Sequence, residues 1–130
     1  MILIFYLGKG CTHCMEQLNA FDPLAQDFES KGITLMAVST DTQQGLLDTF
    51  IGYDSKDRHF NFPLLSDPNL ETFKKYRAYD DFDEKPMHGT FLIDASGRIL
   101  WQEISHEPFM APKFLLEESE RLLDQPELKK

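Results

Sequence analysis

Cys11 and Cys14, three residues apart, are the side chains of this 130-residue chain best placed to do chemistry, and no other cysteine accompanies them. Such a pair can close a disulfide without long-range rearrangement. The spacing also suits thiol–disulfide exchange. One sulfur attacks a partner's sulfur, and the second then attacks the mixed disulfide and releases the partner. Two cysteines this close do not make a disulfide scaffold, so redox or metal chemistry is the reading to test. Zinc would require two further ligands, and only His13, His59, His88 and His106 are on offer. Two inert buried cysteines are the other plain alternative. The expectation is a redox pair that needs neither metal nor cofactor.

The surrounding sequence says where the pair sits. Met1 to Leu7 is an apolar run that reads as a buried strand, Gly8-Lys9-Gly10 follows, and a helical pattern begins near Met15. Both cysteines are therefore predicted at a strand-to-helix junction, where unpaired N–H groups and partial positive charge favour a thiolate. Cys11 is expected to be the more exposed sulfur and Cys14 the more shielded. His13 lies between them. A partly protonated imidazole there would favour a nearby thiolate, whereas a solvent-facing ring would do nothing. Lys9 offers a weaker version of the same effect. His88 stands directly before a predicted strand that starts at Gly89, and approaches the pair if that strand neighbours the first. Asp80, Asp81, Asp83 and Glu84 form an acidic cluster, which in a polar loop reads as a solvated charge run rather than acid–base machinery.

These groups need a scaffold, and its elements can be read in order. Met15, Leu18, Phe21, Leu24, Ala25 and Phe28 recur at helical spacing. Asp22-Pro23 should kink or restart that helix, and Lys31-Gly32 should end it. Ile33 to Ser39 reads as a strand buried on both faces, completing a βαβ unit with a parallel pair. Thr40 or Asp41 is expected to cap a helix over residues 42–51, with a polar loop from Gly52 to His59. Phe62 to Ser66 reads as an edge strand, and Asp67-Pro68 as the start of another helix. A loop is predicted from Ala78 to His88. Gly89 to Asp94 and Arg98 to Ile104 form a hairpin around Ala95-Ser96-Gly97, and an amphipathic helix from Pro112 closes the chain before Gln125-Pro126. The order is β-α-β-α-β-α-β-β-α. The aromatics Phe91, Trp101, Phe109 and Phe114 are assigned to core or rim.

Length and composition fit one globular domain over residues 1–130. A net charge of −9 argues against a nucleic-acid partner, which would need clustered Lys and Arg. No apolar run reaches the length of a membrane span, and the opening run is too short for a signal peptide. A buried strand starting at residue 1 raises the expectation of a domain cut from a longer protein. The compartment is left open, with the cytoplasm as the default.

Phe5 to Cys14 resembles the segment of the thioredoxin-like superfamily, redoxin branch, in which an aromatic pair precedes P-x-x-x-T-x-x-C; that branch includes alkyl hydroperoxide reductases (AhpC/TSA) and peroxiredoxins. Ala37 to Asp41, Phe62 to Asp67, and Gly89 to Asp94 with Gly97 are similar to its second strand, third strand and late hairpin. The resemblance implies an α/β thioredoxin-like fold, with a central mixed sheet of about five strands flanked by helices. It also places the peroxide-attacking cysteine at Cys14. The departures are specific. The family's proline is Leu7, its threonine is Cys11, and the arginine often found before the late strand is His88. The cis-proline that thioredoxins carry before the equivalent of Thr90 is Gly89, and Pro86 lies three residues too early.

Two activities follow as expectations. In the first, the chain is a thiol–disulfide oxidoreductase in cell redox homeostasis: Cys11 exchanges with a partner's sulfur and Cys14 resolves, with His13, His88 and Thr90 as auxiliary residues. In the second it is a thiol-dependent peroxidase, with Cys14 peroxidatic and Cys11 resolving. A catalytically silent interaction domain is the non-enzymatic alternative. The partners implied are protein thiols or disulfides, a thioredoxin-type reductant and, for the peroxidase, small hydroperoxides.

Overall fold

A computed structural model of the chain describes residues 1–8, 11–46 and 61–124. Its elements run β1 (Ile2–Tyr6), α1 (Thr12–Phe21), a 3-10 turn (Asp22–Leu24), α2 (Ala25–Ser30), β2 (Leu35–Ser39) and β3 (Leu64–Ser66). They continue with α3 (Glu71–Lys75), β4 (Tyr79–Asp80), β5 (Lys85–Pro86), β6 (His88–Ile93), β7 (Ile99–Ser105) and α4 (Pro112–Leu123).

All five residues of β1 are buried, as a strand covered on both faces requires. It occupies the middle of a five-stranded sheet ordered β3-β2-β1-β6-β7. The pairs β1–β2 and β2–β3 are parallel, while β1–β6 and β6–β7 are antiparallel. This is the mixed thioredoxin-like sheet expected from the sequence, with the late hairpin β6–β7 laid against the opening strand.

Alternation along β1 and β6 divides the core. Ile2, Ile4, Tyr6 and Leu92 pack with Leu18, Phe21 and Phe28 of the helices α1 and α2, and with Leu115 of α4. Leu3, Phe5, Phe91 and Ile93 face the other way, towards Phe73 of α3. Gly89 belongs to that second face. A methyl group on it would lie 2.9 Å from the Phe91 ring and 3.2 Å from the Ala78 methyl, so close packing accounts for glycine there.

Several boundaries differ from the sequence reading. Asp22-Pro23 does interrupt the first helix, through a single 3-10 turn. The next helix begins at residue 43, where the Thr42 hydroxyl accepts the Gly45 N–H at 3.1 Å, while the Thr40 hydroxyl donates instead to the Leu7 carbonyl. The remainder of that predicted helix, and the polar loop to His59, lie outside the described residues. Asp67-Pro68 is a turn preceding α3, in which the Leu70 N–H donates to the Asp67 carbonyl at 3.0 Å. The Asp67 carboxylate nevertheless caps α3 from across that turn, accepting the N–H groups of Thr72 and Phe73 at 2.9 and 3.0 Å. The predicted loop from Ala78 to His88 contains the small antiparallel ribbon β4–β5, and His88 is the first residue of β6 rather than a loop end. Short two-residue strands leave little periodicity to read.

Candidate active site

Cys11 occupies the N-cap position of α1, in an extended conformation, and Cys14 is the third residue of the helix. The two are joined as a disulfide, with Cα atoms 5.2 Å apart. Cys14 is fully buried and Cys11 half-buried, the order expected from position.

Among the described residues, polar groups crowd the Cys14 sulfur. The Leu7 backbone N–H donates to Cys14 Sγ at 3.4 Å, and the His88 ring lies beside the same sulfur, with Nε2 at 3.8 Å and Nδ1 at 4.0 Å. Cys14 also sits in the first turn of α1, where the helix dipole and unpaired N–H groups favour negative charge. A thiolate on Cys14 is therefore stabilised by neighbours fixed in place before any reaction starts.

The loop that presents the pair is held by the end of β2. The Thr40 hydroxyl donates to the Leu7 carbonyl at 2.6 Å, and the Cys11 N–H donates to the Gly8 carbonyl at 3.2 Å. Gly8 has φ +108°, and a Cβ there would meet the Asp41 carboxylate at 2.7 Å, so only glycine lets the loop pass so close. Asp41 is fixed in turn: its carboxylate accepts from the Ser39 hydroxyl at 3.1 Å, and its carbonyl from the Ser66 hydroxyl at 2.6 Å.

His88, predicted as an approach to the pair, is brought against it. Burial pushes its pKa below the ordinary histidine value, with Glu107 pulling it up and His13 and His106 pushing it further down. The ring beside Cys14 is thus disposed to be neutral. His13 is placed differently. Its side chain is 70% exposed, with Nδ1 3.7 Å from Glu16, and it is not among the groups gathered round the sulfurs. Its reach to the site is electrostatic, through His88. Thr90 is buried on β6, two residues beyond His88 and opposite Ile4. The acidic cluster lies on the β4–β5 ribbon, away from the sulfurs in role. The Asp80 carboxylate accepts the N–H groups of Phe82 and Asp83, which hold its pKa below the usual carboxylate value, with help from His106. It shapes its own turn.

Three contributors escaped the sequence reading: the Leu7 N–H, the Thr40 hydroxyl and the Asp41 carboxylate. For Leu7 a signal was in view. The redoxin pattern has proline at this position, and proline has no N–H to donate. The replacement by leucine therefore supplies the donor that Cys14 Sγ accepts.

Residues 1–102 match the model of the AhpC/TSA family. A peroxiredoxin-like protein of the Clostridium pasteurianum rubredoxin operon is 27% identical over 107 residues, covering 80% of this chain and 60% of that protein. A thioredoxin peroxidase of Fasciola hepatica is 26% identical over 129 residues, or 95% of this chain and 63% of its own length. The chain spans only about 60% of the length of these relatives. The crystal structure of reduced Plasmodium vivax 2-Cys peroxiredoxin superposes with a TM-score of 0.83 at 19% identity, covering 94% of this chain and 76% of that one. That likeness shows the thioredoxin-like fold. No helix among the described residues is long and apolar enough to cross a membrane.

Proposed function

Because the chain belongs to the AhpC/TSA family, we propose that it is a thiol–disulfide oxidoreductase cycling Cys11 and Cys14 between dithiol and disulfide. The observation that carries this reading is the asymmetry of the pair: a half-buried cysteine bonded to a fully buried one whose thiolate has a donor waiting. A partner thiolate attacks Cys11 Sγ, the Cys11–Cys14 bond breaks, and Cys14 leaves as the thiolate held by the Leu7 N–H. A stabilised thiolate is the better leaving group. A second partner thiol then displaces Cys11, so that two thiols become one disulfide and the protein becomes the dithiol. In the opposite direction Cys11 attacks a partner disulfide, and Cys14 attacks the resulting mixed disulfide and expels the second partner thiol. Protein thiols and disulfides, or a thioredoxin-type reductant, are the partners this requires.

The test uses reduced single-cysteine variants and an aromatic model disulfide. Cys14→Ser is expected to stop at a stable mixed disulfide on Cys11, and Cys11→Ser to react much more slowly than the parent. Equal reactivity of Cys11→Ser and parent, or a disulfide that never turns over with any reductant, would overturn the reading and favour a silent interaction domain.

A second reading rests on the donor at Cys14 itself and on the family. As a peroxidase, the Cys14 thiolate would attack a hydroperoxide oxygen, giving an alcohol and a sulfenic acid; the Cys11 thiol would then condense with it to the disulfide and water. Against it stand Leu7, Cys11 and His88, where the redoxin pattern has proline, threonine and arginine. Single-turnover peroxide consumption kept in Cys11→Ser but lost in Cys14→Ser, with sulfenic acid trapped at Cys14, would establish this route. Absence of any trapped sulfenic acid would remove it.

A further inference from the structure

We propose that, once the disulfide is reduced, Cys11, Cys14 and His88 form a three-donor site for the soft monovalent cation Cu(I). The inference does not depend on turnover, since it asks only what the reduced sulfurs and the neighbouring ring can bind.

The donor atoms of these three residues lie within 4.8 Å of one another. Metal–sulfur and metal–nitrogen bonds of roughly 2.0–2.3 Å put donors about 3.5–4 Å apart around a shared ion. Cys14 Sγ and His88 Nε2, 3.8 Å apart, already have that separation. Reduction frees the Cys11 sulfur, and a rotation about its side chain is the movement still needed. The frame is otherwise set: Cys14 is carried by the first turn of α1, and His88 by β6, a strand buried along its whole length.

The kind of donor selects the ion. Two thiolates and an imidazole are a soft set that suits Cu(I) or Zn(II) and disfavours magnesium or calcium. Structural zinc sites close with four protein ligands. Among the described residues no fourth His, Cys, Asp or Glu joins this cluster. Cu(I), with a filled d shell, is satisfied by three donors in a plane. Binding exchanges two thiol protons for one Cu(I) and moves no electron, leaving one net negative charge at the α1 N-terminus beside the Leu7 N–H, where such charge is favoured. The same sulfurs cannot be a disulfide and hold the ion, so oxidation of the pair by a partner disulfide releases it.

The full chain, reduced with dithiothreitol and desalted under argon, would be titrated with Cu(I) buffered by bicinchoninate. One Cu(I) per chain is expected, with X-ray absorption reporting two sulfur neighbours and one nitrogen; the disulfide form is expected to bind none. His88→Ala should weaken binding by more than the about 10–100-fold lost when only an outer-shell partner of a metal ligand is removed. His88→Cys, which returns a soft donor, should restore most of it. Equal capture by the disulfide form, an absorption spectrum without nitrogen, or unchanged affinity in a His88→Ala protein of native circular dichroism would each overturn the proposal. So would one Zn(II) per chain held under conditions where Cu(I) is not. The absorption measurement on the unsubstituted chain decides the part played by His88 even if the variants fail to fold.

Discussion

The two faces of the central sheet do different work. Below β1 and β6, towards α3, lies an apolar cluster in which Phe5 meets Phe73 edge-on at 4.9 Å and Phe91 at 5.5 Å, and Tyr76 meets Phe91 at 5.3 Å, with the buried Asp67 carboxylate at its edge hydrogen-bonded to the α3 N-terminus. The opposite face, covered by α1, α2 and α4, holds Cys14, His88 and Thr90 within its core, together with buried Gln17 and Ser119. The three buried side-chain atoms without a hydrogen-bond partner among the described residues, Tyr6 OH, Gln17 Oε1 and Ser119 Oγ, also belong to that face. An apolar face stabilises the sheet at no desolvation cost, whereas a face carrying unpaired polar atoms gives up stability to place them. The lesson is a division of labour: one side of the same two strands anchors the fold, and the other positions the chemistry.

Breaking the apolar face should therefore cost stability without touching reactivity. Phe91→Ala deletes the ring that Phe5 and Tyr76 both contact, and the expected loss is ~3–5 kcal/mol by denaturant unfolding. Its remaining folded molecules should exchange with a model disulfide at the parent's rate. A slower exchange in the folded fraction would show that the two faces are coupled.

The division was only half legible in the sequence. Alternation and buried runs located β1, β2 and the hairpin β6–β7, because a strand covered on both faces leaves a continuous apolar signature. Cys11 and Cys14 announced themselves through spacing, and the relative exposure of the two sulfurs followed from their place at a helix start. His88 could be suspected but not placed, since its approach to Cys14 depends on β6 lying antiparallel to β1, a pairing between residues far apart in the chain. The positions of the Thr40 and Asp41 side chains against the loop are hidden for a related reason. Both residue types cap helices, and nothing local shows that the Thr40 hydroxyl instead reaches the Leu7 carbonyl and that the Asp41 carboxylate lies against Gly8. Backbone donors such as the Leu7 N–H have no side-chain signature at all. Only the missing proline hinted at it.

The reactive face can be sharpened at that donor. In a Cys11→Ser background, where Cys14 is the sole thiol, Leu7→Pro restores the residue of the family pattern and deletes the N–H that Cys14 Sγ accepts. Alkylation of Cys14 by iodoacetamide at neutral pH is expected to slow by about ten-fold, equivalent to ~1.4 kcal/mol of thiolate stabilisation. Leu7→Ala keeps the N–H and loses only side-chain packing, so it should alkylate at the background rate. If Leu7→Ala slows as much as Leu7→Pro, the effect belongs to packing and the donor is irrelevant.

The smallest effect at neutral pH is expected at Tyr6, whose ring supports the reactive face. Its hydroxyl lies near Ser39 but outside hydrogen-bonding geometry, so Tyr6→Phe removes a buried polar atom that gains nothing from the fold. Stability at pH 7 should change by less than about 1 kcal/mol, and in the stabilising direction. The alkaline limb separates the two proteins more clearly. Burial pushes the Tyr6 pKa up from its ordinary 10.0 to about 12, with Asp41 adding to the rise and Ser39 opposing it. Above pH 10 the unfolded chain releases this proton while the native chain keeps it, so the unfolded state binds fewer protons and parent stability falls as pH rises towards 12. Tyr6→Phe lacks that contribution, and the stability difference between variant and parent should widen across the same window. A constant difference from pH 9 to 12 would mean that the phenol ionises as readily in the fold as outside it, and that the face bearing the disulfide is wetter than its burial indicates.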